Sequence, residues 1–473
     1  MNRGEPRAGD QPSRPRTDAF LRSLGRLVLS VFFRRIEVVG AERFPAEGPV
    51  VVVANHFNSI VDGALITAYL PRMPRLLAAS IVWQNKPLVP LMDAAGVIPV
   101  IRQQDAEVDL ERNVETFAKT WDLLAAGGVL ALFPEGMSHS EPFLLPTKTG
   151  AARIVLESEE FRGPLGVKIV PVGLVFDSKS KFRSRVLLQI GDPVDLAQVL
   201  EAYRQGSEEA RREAVRELTV RIRDGLTAVT LNYGSWEEAR LIARAAALWG
   251  RPRPDLPTKA PLAETFEMRR DFLEGYEWMR NHHPQRTATV RAALVEYDAL
   301  LTGARLRDEQ VGAAYPTTSV LGFVGRSAFA LLVRLNLAVV GTVLNWPPYR
   351  IAQLVGGRVA PEQMATWMIF PSLVIFPAFW LLEALTLGSL AAGWQGPGWG
   401  ISAGIAVFLA APVTGRVALT FHDVRRRLVH EARAWLLLRT RKRLTEHLAE
   451  KRQEVLEQLD ALVALYRREF GSR

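Results

Sequence analysis

The sequence predicts an α/β domain, then a helical region, then a C-terminal membrane helical hairpin that ends in a long terminal helix. Three observations predict this order. Short β-rich apolar runs alternate with stretches of helical period between residues 36 and 194. From 195 to about 310 the chain becomes charged and helical in pattern. Apolar residues then crowd into 318–420.

Residues 1–17 are rich in Arg, Pro, Gly and Asp and are expected to be disordered. Residues 18–35 form an apolar run interrupted by Arg22 and Arg26, with no small-residue cleavage site, so a signal peptide is not expected. The run is too short to span a bilayer, which takes about 20 residues. An amphipathic helix is expected there, lying on a membrane or docked on the domain that follows. Within 36–194, VVVVAN, GVLALF, VKIVPVGLVF and SRVLLQIG read as buried strands. ALITAYL, VETFAKTWDLLAAG and TGAARIVLESEE read as helices, and the order of strands in the sheet is not legible. Residues 195–310, with GSEEARREAVRELTVRIRDGLTAV as the clearest amphipathic piece and a loop at 251–261, read as a helical accessory region with solvated faces.

Three apolar segments follow. Residues 327–345 contain Arg334, residues 366–393 hold the single charge Glu383, and residues 398–415 hold none. The last two are long enough to cross and are joined by the turn WQGP. Arg416, Arg425, Arg426 and Arg427 follow the last of them, and the region before the spans is basic as well. Cytoplasmic flanks carry excess Lys and Arg, so both ends are expected on the cytoplasmic side, with an even number of crossings. A two-helix hairpin satisfies this, the 327–345 segment being re-entrant or interfacial; a third span is the alternative. Residues 421–473 form an amphipathic terminal helix suited to self-packing, which would allow a homo-oligomer.

The formal charge is +9, from 59 Lys+Arg against 50 Asp+Glu. Next to apolar helices such a balance favours membrane lipid as the partner. No aromatic-interleaved groove or zinc-finger module is present, so nucleic acid is not expected. The chain has no cysteine, which rules out disulfides, thiolate catalysis and Cys-based metal sites.

Three clusters carry chemistry. In NHFNSIVDG, His56 directly follows a strand and Asp62 lies six positions on. An imidazole, with an ordinary pKa of about 6.5, suits removal of a hydroxyl proton at neutral pH. A carboxylate on its other nitrogen would fix the tautomer. On one continuous helix, residues six apart point about 240° apart, so the two meet only if His56 lies in the loop and the helix starts after it. Ser59 offers that start as N-cap with Asp62 third in the helix, a capping-box arrangement that would equally give Asp62 a structural role. The second cluster is FPEGMSHS, where Pro134, Glu135 and Gly136 make a turn, followed by LLPTKTG with Lys148 beside a helix opening at Thr149–Gly150. A helix N-terminus with a cation beside it is a ready anion site, although Pro and Gly are common at such junctions without any ligand. The third is AAGVIPVIRQQD, with Arg102 at a strand end, suited to phosphate and equally to plain surface charge.

The order NHFNSIVD, GVIPVIR, FPEGMSH, LLPTKTG and VPVGLVF resembles the glycerolipid acyltransferase superfamily. It is most similar to the branch of fungal-type glycerol-3-phosphate and dihydroxyacetone-phosphate acyltransferases, where His-x-Asn-x-x-x-Asp and Phe-Pro-Glu-Gly-x-Ser-His occur. Five residues separate His56 from Asp62, where most of the superfamily has four. The resemblance implies a mixed sheet flanked by helices, His56 as base and Asp62 as its orienting partner. It implies that Asn58, Arg102, Glu135, Gly136, Ser138, His139 and Lys148 form the acceptor site, the basic ones holding a phosphate; for His139 a structural hydrogen bond within the turn is the equal alternative. The partners implied are a thioester acyl donor, acyl-CoA or acyl-carrier protein, and a phosphorylated glycerol acceptor in phospholipid biosynthesis, with no metal or other cofactor. A 1-acylglycerol-3-phosphate or other lysophospholipid acceptor is the alternative, followed by a non-catalytic lipid-binding scaffold. A hydrolase is disfavoured, since no Gly-x-Ser-x-Gly elbow is present.

Overall fold

The computed structural model describes residues 15–84, 86–101, 110–250, 261–311 and 317–470. The chain divides into two units, one running to Asn232 and including Val359–Thr366, the other containing the rest.

The first unit is built on a seven-stranded sheet: β1 (Arg35–Val39), β2 (Val50–Ala54), β3 (Arg75–Ala79), β4 (Ile98–Val100), β5 (Val129–Leu132), β6 (Lys168–Phe176) and β7 (Arg185–Ile190). Their order across the sheet is β1-β7-β6-β2-β5-β3-β4. The strands from β6 to β4 are parallel to their neighbours, and β7 is antiparallel to β6, so the sheet is mixed. β2 is central, and its residues Val50 to Val53 are fully buried on both faces. An unbroken run of β-branched side chains is what such a position selects.

Helices α1 (Pro15–Phe32), α2 (Ile60–Tyr69), α3 (Val89–Ala94), α4 (Leu110–Ala125), α5 (Gly150–Phe161), α6 (Ala197–Gln205) and α7 (Glu208–Ala228) accompany the sheet. Of the two placements expected for the first helix, docking is what the structure presents. The two arginines that interrupt its apolar run make the contact: Arg26 Nε donates to Ala68 O at 2.8 Å, and Arg22 donates to Leu70 O and Pro71 O. These carbonyls sit at the C-terminus of α2, the end of a helix that attracts cations.

Helices α6 and α7 depart from the expected boundary at residue 194. They are not a solvated accessory region: Val199, Tyr203, Ala214, Leu218, Ile222 and Leu226 belong to the core beneath the sheet. The spacing 214, 218, 222, 226 is a narrow apolar stripe among charges, and a narrow stripe is enough to dock a helix. At Gly173 of β6 a Cβ would lie 1.7 Å from Val229 O, so glycine lets the end of this layer approach the strand.

The second unit contains α8 (Trp236–Trp249), α9 (Leu262–His282), α10 (Pro284–Ala304), α11 (Asp308–Val311), α12 (Thr317–Gly356), α13 (Pro361–Gln395, from Trp367 on), α14 (Pro397–Thr440) and α15 (Lys442–Phe470). Leu248, Val290, Leu294, Tyr297 and Leu301 share a core with Leu448, Val455 and Leu459 of α15. The apolar stripe of the terminal helix, expected to serve self-association, is therefore buried within its own chain. Its physical reason is proximity: α10 presents a matching stripe in the same molecule.

Among the described residues three helices, α12, α13 and α14, are long and apolar enough to cross a membrane. The expected turn between the last two is present at Gly396, with φ of 94°. The segment 327–345 lies within the 40-residue helix α12, which packs extensively on α14. At Gly341 a Cβ would lie 2.0 Å from Thr414 O, the close backbone approach that small residues permit between apolar helices. Asn345 sits in this seam, donating to Ala411 O at 3.2 Å and accepting from Trp380 Nε1 at 3.0 Å.

Candidate active site

Strands β5, β2 and β6 lie side by side and parallel, with Val53 opposite Leu132 and Ala54 opposite Val172. Their C-terminal ends therefore open on one edge of the sheet, where α/β folds usually place their sites. β2 delivers Asn55 and His56, β5 delivers Phe133 to Gly136, and β6 delivers the loop 177–184. The side chain of Asn55 bonds both Leu174 N, at 2.6 Å, and Leu174 O, at 3.0 Å. It continues the ladder for one residue after the backbone has left it, which fixes where the His56 loop begins.

The His56 ring stacks on Phe133, centroids 4.0 Å apart and planes 12° from parallel. Its Nδ1 lies 3.0 Å from Asp62 Oδ2. A carboxylate of this kind accepts, so Nδ1 carries the proton and Nε2 is left with its lone pair. Nε2 has no protein partner among the described residues, and the side chain is 17% exposed while that of Asp62 is fully buried. The six-residue spacing is bridged as the loop alternative requires: α2 begins at Ile60, after His56 has been placed, and Asp62 is third in the helix.

The expected capping box is not what closes this turn. The Ser59 side chain makes no capping bond. Asp62 instead reaches back to Asn58 N at 2.6 Å as well as to His56. Ser59 takes φ 48°, ψ −132°, a sparsely populated region costing about 1–3 kcal/mol that persists only where the surroundings hold it.

Glu135 lies behind the imidazole. Its Oε1 accepts His56 N at 2.7 Å, and its Oε2 accepts Leu145 N at 2.8 Å and the His139 ring. His139 Nδ1 accepts Glu141 N at 3.2 Å, so Nε2 is the protonated nitrogen facing Glu135. His139 N in turn donates to His56 O at 3.1 Å. Glu135 and His139, expected among the acceptor-binding residues, are thus a buried frame for the His56 loop. Asn58 is buried too, donating to Lys179 O at 3.0 Å. Ser138 is half-buried in the turn. Gly136 has φ of 76°, and a Cβ there would lie 2.8 Å from Lys148 Nζ, so the Lys148 side chain runs across a surface that only glycine leaves open. Lys148 N donates to Pro134 O at 2.7 Å, which ties the cation to the same turn. Arg102 lies outside the described residues, two positions past Val100, the end of β4.

The sequence reading passed over Lys179, in the loop after β6. Its Nζ donates to Phe57 O at 2.9 Å, His139 O at 2.7 Å and Ser140 Oγ at 2.8 Å. Burial pushes this amine below the usual lysine range, while Glu362 and Asp62 nearby pull it back up. Ser140 Oγ also donates to Glu362 Oε2 at 3.1 Å. Among the described residues no group of three His, Asp or Glu side chains could hold a metal.

The arrangement is an oriented imidazole, its Nε2 unpartnered among the described residues, on a strand-end loop with Lys148 across the neighbouring turn. Residues 35–175 match the Acyltransferase family, and residues 252–468 match the Glycerol-3-phosphate acyltransferase 2 C-terminal domain. The chain is 30% identical over 251 residues to Glycerol-3-phosphate O-acyltransferase 1 of Saccharomyces cerevisiae, covering 53% of this chain and 32% of that one. It is 27% identical over 302 residues to Glycerol-3-phosphate O-acyltransferase 2 of the same yeast, covering 59% and 39%. It thus spans between about a third and two fifths of these curated relatives. The crystal structure of PlsC, the 1-acyl-sn-glycerophosphate acyltransferase of Thermotoga maritima, aligns with 46% of this chain and 84% of that one at 21% identity, with a TM-score of 0.33. The chain thus pairs a region that matches the Acyltransferase family with one that matches the Glycerol-3-phosphate acyltransferase 2 C-terminal domain, and it is similar to both yeast glycerol-3-phosphate O-acyltransferases.

Proposed function

We propose that this protein transfers a fatty acyl group from a thioester, acyl-CoA or acyl-carrier protein, to a hydroxyl of glycerol 3-phosphate or dihydroxyacetone phosphate, with His56 as general base. The observation that carries the proposal is the 3.0 Å contact between His56 Nδ1 and the buried Asp62 carboxylate, which leaves Nε2 as the acceptor of a proton. As the acceptor hydroxyl attacks the thioester carbonyl, Nε2 takes its proton and an ester C–O bond forms. The C–S bond then breaks, and the imidazolium returns the proton to the leaving thiolate. Asp62 stabilises the imidazolium between these events. No protein nucleophile is required, because the substrate hydroxyl plays that part. Lys148 supplies a cation for the acceptor phosphate.

A panel of acceptors with labelled acyl-CoA tests this in isolated membranes. Glycerol 3-phosphate or dihydroxyacetone phosphate should be acylated, and His56→Ala should lower turnover by roughly 100- to 10,000-fold, the usual share of a general base. Acylation of only 1-acylglycerol 3-phosphate would move the acceptor to that alternative, and full activity without the imidazole would end the proposal.

We propose further that α13 and α14 make two crossings and that α12 makes none, with the catalytic unit and the terminal helix on the cytoplasmic side. Chain logic supports this. Gln310, before α12, donates to Glu431 Oε2 of α14 at 3.0 Å, and α10 shares its core with α15, so the chain leaves the apolar region where it began. No apolar helix of spanning length precedes α12 among the described residues. Arg425, Arg426 and Arg427 supply the basic flank. The absence of cysteine makes the test clean. Single cysteines at Arg358 and Phe470 should react with an impermeant maleimide from the same face of sealed vesicles, and one at Gln395 from the opposite face. Labelling of position 358 from the face that labels 395 would contradict this topology.

A further inference from the structure

We infer that Lys179 is a positioning residue for the acyl transfer proposed above: it clamps the loop carrying His56 to the turn carrying His139, and it does not bind the acceptor phosphate. The inference rests on His56 being the base. Its first support is donor counting. An ammonium has three protons, and those of Lys179 meet three acceptors, Phe57 O, His139 O and Ser140 Oγ, at 2.7 to 2.9 Å. None is left for a ligand.

The second support is what those acceptors belong to. Phe57 adjoins His56, and His139 and Ser140 follow the Glu135 turn, so the clamp joins the ends of β2 and β5 from the end of β6. Asn58 closes the same junction from the other side, through its amide to Lys179 O at 3.0 Å. Two residues past Phe57, Ser59 holds its sparsely populated backbone with no capping bond of its own. A loop in that state depends on its neighbours to stay put. The third support is charge: Asp62 Oδ1 is buried without a hydrogen-bond partner, and Lys179 is close enough to interact with Asp62 electrostatically. The clamp therefore sets its cation beside the carboxylate that orients the imidazole. Glu362, bonded to Ser140, extends the clamp to the first turn of α13.

Lys179→Met in the full-length membrane-embedded protein tests this. The expected result is a fall in kcat of about 10- to 100-fold, the scale of a misplaced catalytic group, with the KM for glycerol 3-phosphate within about threefold of wild type. Ser140→Ala removes one of the three acceptors without unseating the lysine and should lower kcat by a few-fold in the same pattern, which keeps the inference testable if the Met variant fails to fold. A rise in KM with kcat preserved would make Lys179 a phosphate ligand and overturn the inference, as would wild-type kinetics in both variants. Loss of activity in His56→Ala alongside wild-type kinetics in Lys179→Met would sink the clamp alone, whereas a fully active His56→Ala would sink the base.

Discussion

Both units of this protein bury carboxylates, but they pair them differently. In the α/β unit, Asp62 and Glu135 each hold an imidazole, of His56 and His139, and each also accepts from backbone N–H. In the helical unit, Asp308 holds Arg452 at 2.9 Å and the Tyr297 hydroxyl at 2.7 Å, while Glu431 holds Arg307 and Gln310. An imidazole gains and loses its proton near neutral pH; a guanidinium never does. The first kind of pair can therefore take part in proton transfer, whereas the second can only join helices. Burial of an acid by itself does not mark a site. The partner decides it.

Substitutions should separate the two kinds. The largest effect is expected from Asp62→Asn, which keeps the volume but removes the charge that fixes and stabilises the imidazole. Turnover should fall by roughly 100-fold or more, while thermal unfolding moves little. Arg452→Met should do the reverse. It leaves Asp308 buried without its cation, costing about 3 kcal/mol, the low end for breaking a buried pair. The melting temperature should drop while kcat per folded molecule stays at the wild-type value. If Asp62→Asn destabilised the protein as much as Arg452→Met while sparing turnover, the distinction between the pairs would collapse.

Of this contrast only the His56–Asp62 pair was legible in the residues, and the limits were physical. The runs VVVVAN and GVLALF declared themselves as buried strands because a central parallel strand has no solvent face to alternate toward. The His56–Asp62 geometry followed from asking where the helix must start. Strand order was not legible, since it depends on pairings between residues far apart in sequence. That hid the role of Glu135, whose turn is adjacent to His56 only because β5 pairs with β2. It hid Lys179 for the same reason, through β6. A lysine a few residues past a predicted buried strand was the available signal, and it gains meaning only once that strand is known to neighbour β2. The Ser59 cap misled because the Asp62 carboxylate had stronger claims on it, an imidazole and the Asn58 N–H. Helices α6 and α7 looked solvated because one narrow stripe, hidden among charges, does their packing.

The central claim is that His56 and Asp62 act as one unit. It is tested most directly by comparing turnover of the His56→Ala, Asp62→Asn double variant with that of His56→Ala alone. Residues that work as a unit are strongly non-additive, so the double variant should be no slower than His56→Ala by more than about twofold. A double variant slowed by the product of the two single effects would show that the carboxylate acts apart from the imidazole and would contradict this account.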